Sequence, residues 1–99
     1  GTVEVHADYS VPVERIRADY KEYLKTCELW NEKAVGLQVT GAGERTMVLR
    51  ALMSAGDSAR LWDLRCQVRE WMIGWLQSED GGQYLPVLRV DPSKSQEQE

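Results

Sequence analysis

The residues of this chain that could do chemistry are few and scattered. His6 is the only histidine, and no Cys-x-x-Cys pair accompanies it, so the ligands of a usual transition-metal site are lacking. Glu79 and Asp80 form an acidic pair just before two glycines, which is typical of a solvated loop rather than of paired catalytic carboxylates. We therefore expect no enzyme activity, no catalytic residue, no metal and no cofactor.

Nucleophile and phosphate-binding motifs are also missing. None of Ser10, Ser54 and Ser58 lies in the sequence context of a nucleophile elbow. The stretch 41–44, Gly-Ala-Gly-Glu, lacks the following Gly-Lys-Ser/Thr of a phosphate loop and separates two predicted strands. We interpret it as a hairpin turn.

Nucleic acid is not the expected partner. Arg60, Arg65 and Arg69 are interleaved with acidic residues, which indicates a solvated helix face with local ion pairs rather than a basic stripe. The net charge of −4 repels polyanions, and the predicted strand over 45–54 has no aromatic residue on which a base could stack.

Length and composition indicate one ordinary globular domain. The chain has 99 residues, 42% hydrophobic and 28% charged, and no apolar run approaches the roughly 20 residues that cross a bilayer. Cys27 and Cys66 are too few for a disulfide scaffold, and each falls on the apolar side of a predicted helix. We expect buried free thiols in a reducing cytoplasm, with a disulfide or a reactive cysteine as alternatives.

The apolar periodicity predicts the element order β-α-β-β-α with a weak final strand. Ser10 and Pro12 are expected to start the first helix, Ser10 as its cap, and Asp57 is expected to cap the second. The predicted ranges are strand 2–9 (apolar at Val3, Val5, Ala7 and Tyr9), helix 13–26, connector 28–33, strand 34–40, strand 45–54, helix 57–77 and strand 83–90. This order predicts an α+β, ferredoxin-like fold over residues 2–90, with an antiparallel sheet, both helices on one face, and a polar flexible tail at 91–99.

Two segments carry more apolar residues than one core needs. The strand over 45–54 is apolar on both sides, so we expect it to be central and covered on both faces. In helix 57–77, Trp71 and Trp75 are predicted to face the sheet. Trp62, Cys66, Ile73 and Leu76 are predicted to point away from it. Either a partner or other parts of this chain must cover that second helix face.

Several stretches resemble a known family. The residues 3–16, Val-Glu-Val-His-Ala-Asp-Tyr-Ser-Val-Pro-Val-Glu-Arg-Ile, are similar to the opening of the cytoplasmic α/β domain of the bacterial small-conductance mechanosensitive channel family. The residues 62–70, Trp-Asp-Leu-Arg-Cys-Gln-Val-Arg-Glu, and 85–89, Leu-Pro-Val-Leu-Arg, resemble its second helix and exit segment. Pro86 and the polar tail depart from the family, in which a further strand joins the subunits.

The resemblance implies a soluble domain on the cytoplasmic side of the inner membrane, attached through transmembrane helices that this sequence lacks. It also implies copies of the chain as partners, seven in the family, and a role in subunit assembly and the ion vestibule without catalysis. We identify Trp62, Ile73 and Arg50 as candidate subunit-interface residues. The alternative function is a regulatory module of the same fold that binds a small ligand.

Overall fold

The computed structural model describes residues 1–86, which form a three-stranded sheet with two long helices packed against it. The predicted β-α-β-β-α order and the α+β class are confirmed. In chain order the elements are β1 (Thr2–Asp8), α1 (Val13–Lys25), β2 (Trp30–Ala42), β3 (Thr46–Ala55), α2 (Ser58–Ser78) and a 3-10 turn (Glu79–Gly82).

β3 lies in the centre of the sheet, whose strand order is β1-β3-β2. Both neighbours run antiparallel to β3, with Val5 of β1 opposite Leu49 and Leu37 of β2 opposite Ala51. β1 and β2 are therefore parallel to each other and are connected through α1, which is the split β-α-β arrangement. The prediction that the third strand is central is confirmed.

β1 alternates as predicted except at its end. Asp8 is buried and Tyr9 is exposed, which is the reverse of the prediction. The Asp8 carboxylate accepts hydrogen bonds from the Ser10 amide at 3.1 Å and the Ser10 hydroxyl at 2.6 Å. The Tyr9 hydroxyl donates to the carbonyl of Gly43. Because a buried carboxylate needs such donors, the turn after β1 overrides the alternation of the strand.

β2 is longer than predicted at both ends. It begins at Trp30, inside the predicted connector, and it continues to Ala42, inside the predicted turn. Its register with β3 is irregular between Trp30 and Val35, so this part has no regular apolar alternation from which it could be predicted. The turn that remains is short, and the Gly43 amide donates to the Thr46 carbonyl at 2.8 Å.

α1 packs on the sheet through Ile16, Tyr20 and Leu24, which are fully buried and lie four residues apart. The helix begins directly after Pro12, which provides no side-chain cap. The predicted cap by Ser10 is therefore wrong, because the Ser10 hydroxyl donates to Asp8 in the preceding turn.

α2 begins as predicted, since the Asp57 carboxylate accepts a hydrogen bond from the Arg60 amide at 2.8 Å. The prediction that Leu76 points away from the core is wrong. Leu76 is buried because it continues, at four-residue spacing, the stripe that contains Val68 and Met72.

Both helices cover the same face of the sheet. On β3 this face carries Leu49, Ala51 and Met53, which are fully buried, while Arg50 and Leu52 on the opposite face are exposed. The predicted cover on both faces of β3 is therefore absent within residues 1–86. Two helices are enough to seal only one side of the sheet.

The predicted final strand is not formed in its described part, residues 83–86. Tyr84 instead packs into the core, and its carbonyl accepts a hydrogen bond from the Asp8 amide at 2.9 Å. The rest of that strand, 87–90, and the predicted tail, 91–99, lie outside the described residues.

A leucine-to-alanine substitution should lower the free energy of unfolding by different amounts on the two faces of β3. Leu49→Ala removes a fully buried side chain and should lower the free energy of unfolding by about 2–5 kcal/mol. Leu52→Ala, on the open side of the same strand, should lower it by less than about 1 kcal/mol. Urea denaturation of both variants measures the difference, and equal losses would contradict the assignment of the two faces.

Candidate interaction surfaces

The outer face of α2, defined by Trp62, Cys66 and Ile73, carries uncovered apolar side chains, with the half-buried Arg69 in the same row. These residues span about three helical turns on the side of α2 that faces away from the sheet. The Trp62 side chain is 64% exposed and Ile73 is 41% exposed, whereas Cys66 is half-buried. The prediction that these three residues point away from the core is confirmed, and large exposed apolar groups in one row are typical of a binding surface.

The open sheet face is a second uncovered surface, defined by Glu4, Gln38, Arg50 and Leu52. Glu4 on β1 and Gln38 on β2 both pair with Arg50 in the register of the sheet. Leu52 is 41% exposed and lies two residues further along β3. The direct neighbours of Leu52 across the sheet are Thr2 and Gly36, and the row formed by Glu4, Arg50 and Gln38 lies on one side of it.

The structure separates the three predicted interface residues. Trp62 and Ile73 share the outer face of α2, but Arg50 lies on the open sheet face, with the hydrophobic core between them. One contact between two copies therefore cannot bury all three residues on the same subunit. Only an arrangement in which each copy uses two different sides can do so.

Neither cysteine is fully buried, so the predicted burial is wrong in degree. Cys27 and Cys66 are both free and half-buried. Cys27 lies just beyond the end of α1, where its thiol donates to the carbonyl of Tyr23 at 3.6 Å. Cys66 lies on the outer face of α2, where packing from this chain covers it incompletely.

The residues considered for chemistry have structural hydrogen bonds. His6 is exposed and shares a hydrogen bond of 3.2 Å with the hydroxyl of Thr46. The Ser54 hydroxyl donates to Asn31 at 2.5 Å and accepts from the Ala34 amide at 2.8 Å. Across residues 1–86, no group of three or more His, Cys, Asp or Glu side chains is arranged to hold a metal ion.

A polar cluster, here called the Arg15 latch, joins the chain after α2 to α1. It consists of Arg15, Asp80 and Tyr84, with Glu79 and Trp75 beside them. The Arg15 guanidinium donates to Asp80 at 2.5 Å and to the Tyr84 hydroxyl at 3.0 Å, and the Tyr84 hydroxyl donates to Asp80. The guanidinium also lies 5.8 Å from the Trp75 ring centroid and 5.7 Å from that of Tyr84.

The latch changes the acidity of its members in the expected directions. The hydrogen bonds from Tyr84 and Arg15 lower the pKa of Asp80, and the hydrogen bond to Asp80 raises the pKa of Arg15. The predicted solvated acidic loop is therefore an ion-paired contact instead. Arg15 and Asp80 are 65 positions apart, so no local sequence pattern indicates the contact.

A groove of about 420 Å³ lies between α1 and α2, and it is here called the helix groove. The rings of Tyr23 and Trp71 stack beside it with centroids 5.1 Å apart and an interplanar angle of 12°. The Trp75 indole N–H donates to Asp19 at 2.8 Å. The lining residues are Asp19, Glu22, Tyr23, Thr26, Trp71 and Trp75.

The helix groove was not predicted from the sequence. The residues that line it come from two helices, and those that meet across the groove are about 50 positions apart in the sequence. No local sequence pattern therefore indicates that they meet. Trp71 was predicted to face the sheet, yet it is half-buried and contacts the α1 residues Tyr20 and Tyr23. The angle at which α2 crosses α1 decides this contact, and apolar spacing does not specify that angle.

Comparison with known proteins does not assign this chain to a family. The chain matches no protein-family model, no curated protein and no solved structure. The resemblance to the mechanosensitive channel family therefore stays a prediction. Among the helices formed by residues 1–86, none has both the length and the apolar character to span a bilayer.

The latch predicts a pH dependence that one variant should remove. Because the pKa of Asp80 is lowered from its ordinary value of 3.8, its contribution to stability is present above that value and is lost as the pH falls through the depressed pKa. Asp80→Asn should remove this part of the stability loss between about pH 5 and about pH 2.

Urea denaturation at several pH values measures this effect. Asp63→Asn serves as the matched control, because Asp63 is an exposed carboxylate on α2, outside the latch. If the Asp80 and Asp63 variants show the same pH dependence of stability, the latch does not contribute to stability as described.

Proposed function

We propose that this domain is a non-catalytic assembly module whose copies bind head to tail. The outer face of α2 on one copy contacts the open sheet face of the next. The observation that carries this proposal is that large apolar side chains are exposed on opposite sides of one core, Trp62 and Ile73 on one side and Leu52 on the other. A contact between two different surfaces is heterologous, and repeated heterologous contacts form a ring when the rotation between neighbours closes and an open filament when it does not.

Trp62 is the expected anchor of the contact. A tryptophan side chain buries a large area at a low cost in conformational entropy, and tryptophans are enriched among the residues that dominate binding energies. Trp62 is also the most exposed of the large hydrophobic residues in the described part of the chain. Leu52 offers an apolar contact point on the receiving surface.

Polar residues on the open sheet face fit the surroundings of such a contact. Arg50, Glu4 and Gln38 lie beside Leu52 and would form a polar rim on one side of it. Arg50 is thereby assigned to the receiving side of the contact, while Trp62 and Ile73 belong to the inserted side. This division accommodates all three predicted interface residues.

The cellular setting we propose is the cytoplasmic part of a mechanosensitive-type membrane channel. The resemblance of residues 3–16, 62–70 and 85–89 to that family supports it, and ring formation by the domain agrees with it. The coding region upstream of Thr2 tests the setting. We expect several apolar stretches of about 20 residues followed by a short β-rich segment. A soluble enzyme domain in that place would contradict it.

Two single variants test the head-to-tail contact. Trp62→Asp should damage the inserted surface and Leu52→Glu the receiving surface, and each should raise the Kd of self-association at least about tenfold. Both side chains are exposed, so neither change should alter the fold. Sedimentation velocity over a concentration series measures the association, and circular dichroism checks the fold.

A mixture of the two variants distinguishes head-to-tail binding from symmetric binding. The Trp62→Asp copy retains an intact receiving surface, and the Leu52→Glu copy retains an intact inserted surface. The mixture should therefore form dimers of one copy of each variant, whereas each variant alone should stay monomeric. Gln67→Asp, about 140° around the helix from Trp62, should leave association unchanged. Association that is unaffected by Trp62→Asp, or a mixture without heterodimers, would contradict the proposal.

A further inference from the structure

We propose that the helix groove binds the guanidinium group of an arginine side chain in a partner polypeptide. This site lies on the side of the domain where α1 meets α2, and it shares no residue with the two assembly surfaces. It goes beyond the assembly function, and it would give the module a second, charge-dependent partner.

The aromatic wall of the groove supplies the first attraction. Tyr23 and Trp71 form a stacked pair, whereas Trp75, which also lines the groove, is buried and has its ring beside Arg15. Cations bind over aromatic rings because the ring faces are electronegative, and tryptophan gives the strongest contact. Trp71 is only half-buried, although it is a large apolar residue held between two helices.

Carboxylates at the rim of the groove supply the second attraction. Asp19 and Glu22 lie on successive turns of α1 and are exposed, and Asp19 is held in place by the Trp75 indole. Glu70, on α2, is exposed and adds negative charge near Tyr23, although it does not line the groove. Burial raises the pKa of Tyr23, and the negative charge of Glu70 contributes to that rise, so the phenol stays neutral.

The positive charge already present at the groove is limited. Lys25 forms an exposed ion pair with Glu22 at 3.0 Å, on the same side of α1. Exposed pairs at this spacing on a helix contribute little, so a ligand can displace the lysine. The carboxylates of Asp19 and Glu22 thus line the groove beside one weakly held cation, Lys25, because the nearby Arg15 guanidinium is paired with Asp80.

The chain itself contains the arrangement that we propose for the ligand. Arg15, one turn before Asp19 on α1, lies over the rings of Trp75 and Tyr84 and donates to the carboxylate of Asp80. The helix groove repeats these components one turn further along, with Tyr23 and Trp71 as the rings and Asp19 and Glu22 as the carboxylates. The groove has no arginine of its own among its lining residues.

A guanidinium fits this site better than an ammonium group does. Its plane can stack on the aromatic wall while its N–H groups donate to carboxylates in a forked geometry. The overall charge of −4 also attracts a basic partner and repels an acidic one.

An NMR titration with N-acetyl-arginine amide tests the proposal. We expect saturable shifts of the Trp71 and Trp75 indole resonances, with a Kd on the order of 1 mM for so small a ligand. N-acetyl-citrulline amide has nearly the same shape without the charge and should produce no saturable shift.

Variants of the acidic residues near the groove distinguish binding at this site from a general attraction between the ligand and the negatively charged domain. Glu22→Gln combined with Glu70→Gln should raise the Kd about three- to tenfold. Glu44→Gln in the β2–β3 turn removes an exposed acidic residue far from the groove and should leave the Kd unchanged. We leave Asp19 intact because its carboxylate also holds Trp75.

Three results would overturn the proposal. They are the absence of saturable shifts, equal binding of the citrulline compound, and an unchanged Kd in the Glu22/Glu70 double variant. The assembly variants Trp62→Asp and Leu52→Glu should bind the arginine compound as well as the original chain does. Failure of the groove and failure of the assembly surfaces are therefore distinguishable.

Discussion

A three-stranded sheet has two faces, and the two helices of this chain cover only one of them. This constraint determines much of what the molecule presents to its surroundings. Leu49 and Ala51 are sealed under the helices, while Arg50 and Leu52, on the same strand, meet solvent. Burial of the second face would contribute further stability, and a neighbouring protein is the simplest way to provide it. The assembly function that we propose rests on this open face together with the exposed apolar residues on the outer face of α2.

The pair of helices also creates the sites that involve charge. Tyr23 of α1 and Trp71 of α2 stack on each other where the two helices meet, while Tyr20 and Trp75 are buried in the core. Trp75 takes part in both charged sites, because its ring lies near Arg15 while its N–H donates to Asp19. The latch and the helix groove thus depend on the same contact between the helices. A change in the packing of Trp75 would affect both.

The regular parts of the fold were predictable from the sequence, and the departures have physical causes. Apolar periodicity predicted the order of the elements, the central position of β3 and the exposure of Trp62 and Ile73. It failed at Asp8, where local hydrogen bonds override the strand pattern, and at Leu76, which lies on the buried stripe. The helix groove and the partners of Arg15 were missed because they join residues distant in sequence. Such contacts depend on the packing of the helices, which spacing alone does not define.

The most direct test of the central claim follows the NMR signals of the unmodified domain over a range of protein concentrations. Head-to-tail assembly predicts that the indole signal of Trp62 and the methyl signals of Leu52 shift together as the concentration rises. The indole signal of Trp30, which donates to the Ala34 carbonyl at 2.8 Å, should stay constant. If the signals of Trp62 and Leu52 do not change, or if only one of them changes, head-to-tail assembly through these two surfaces is contradicted.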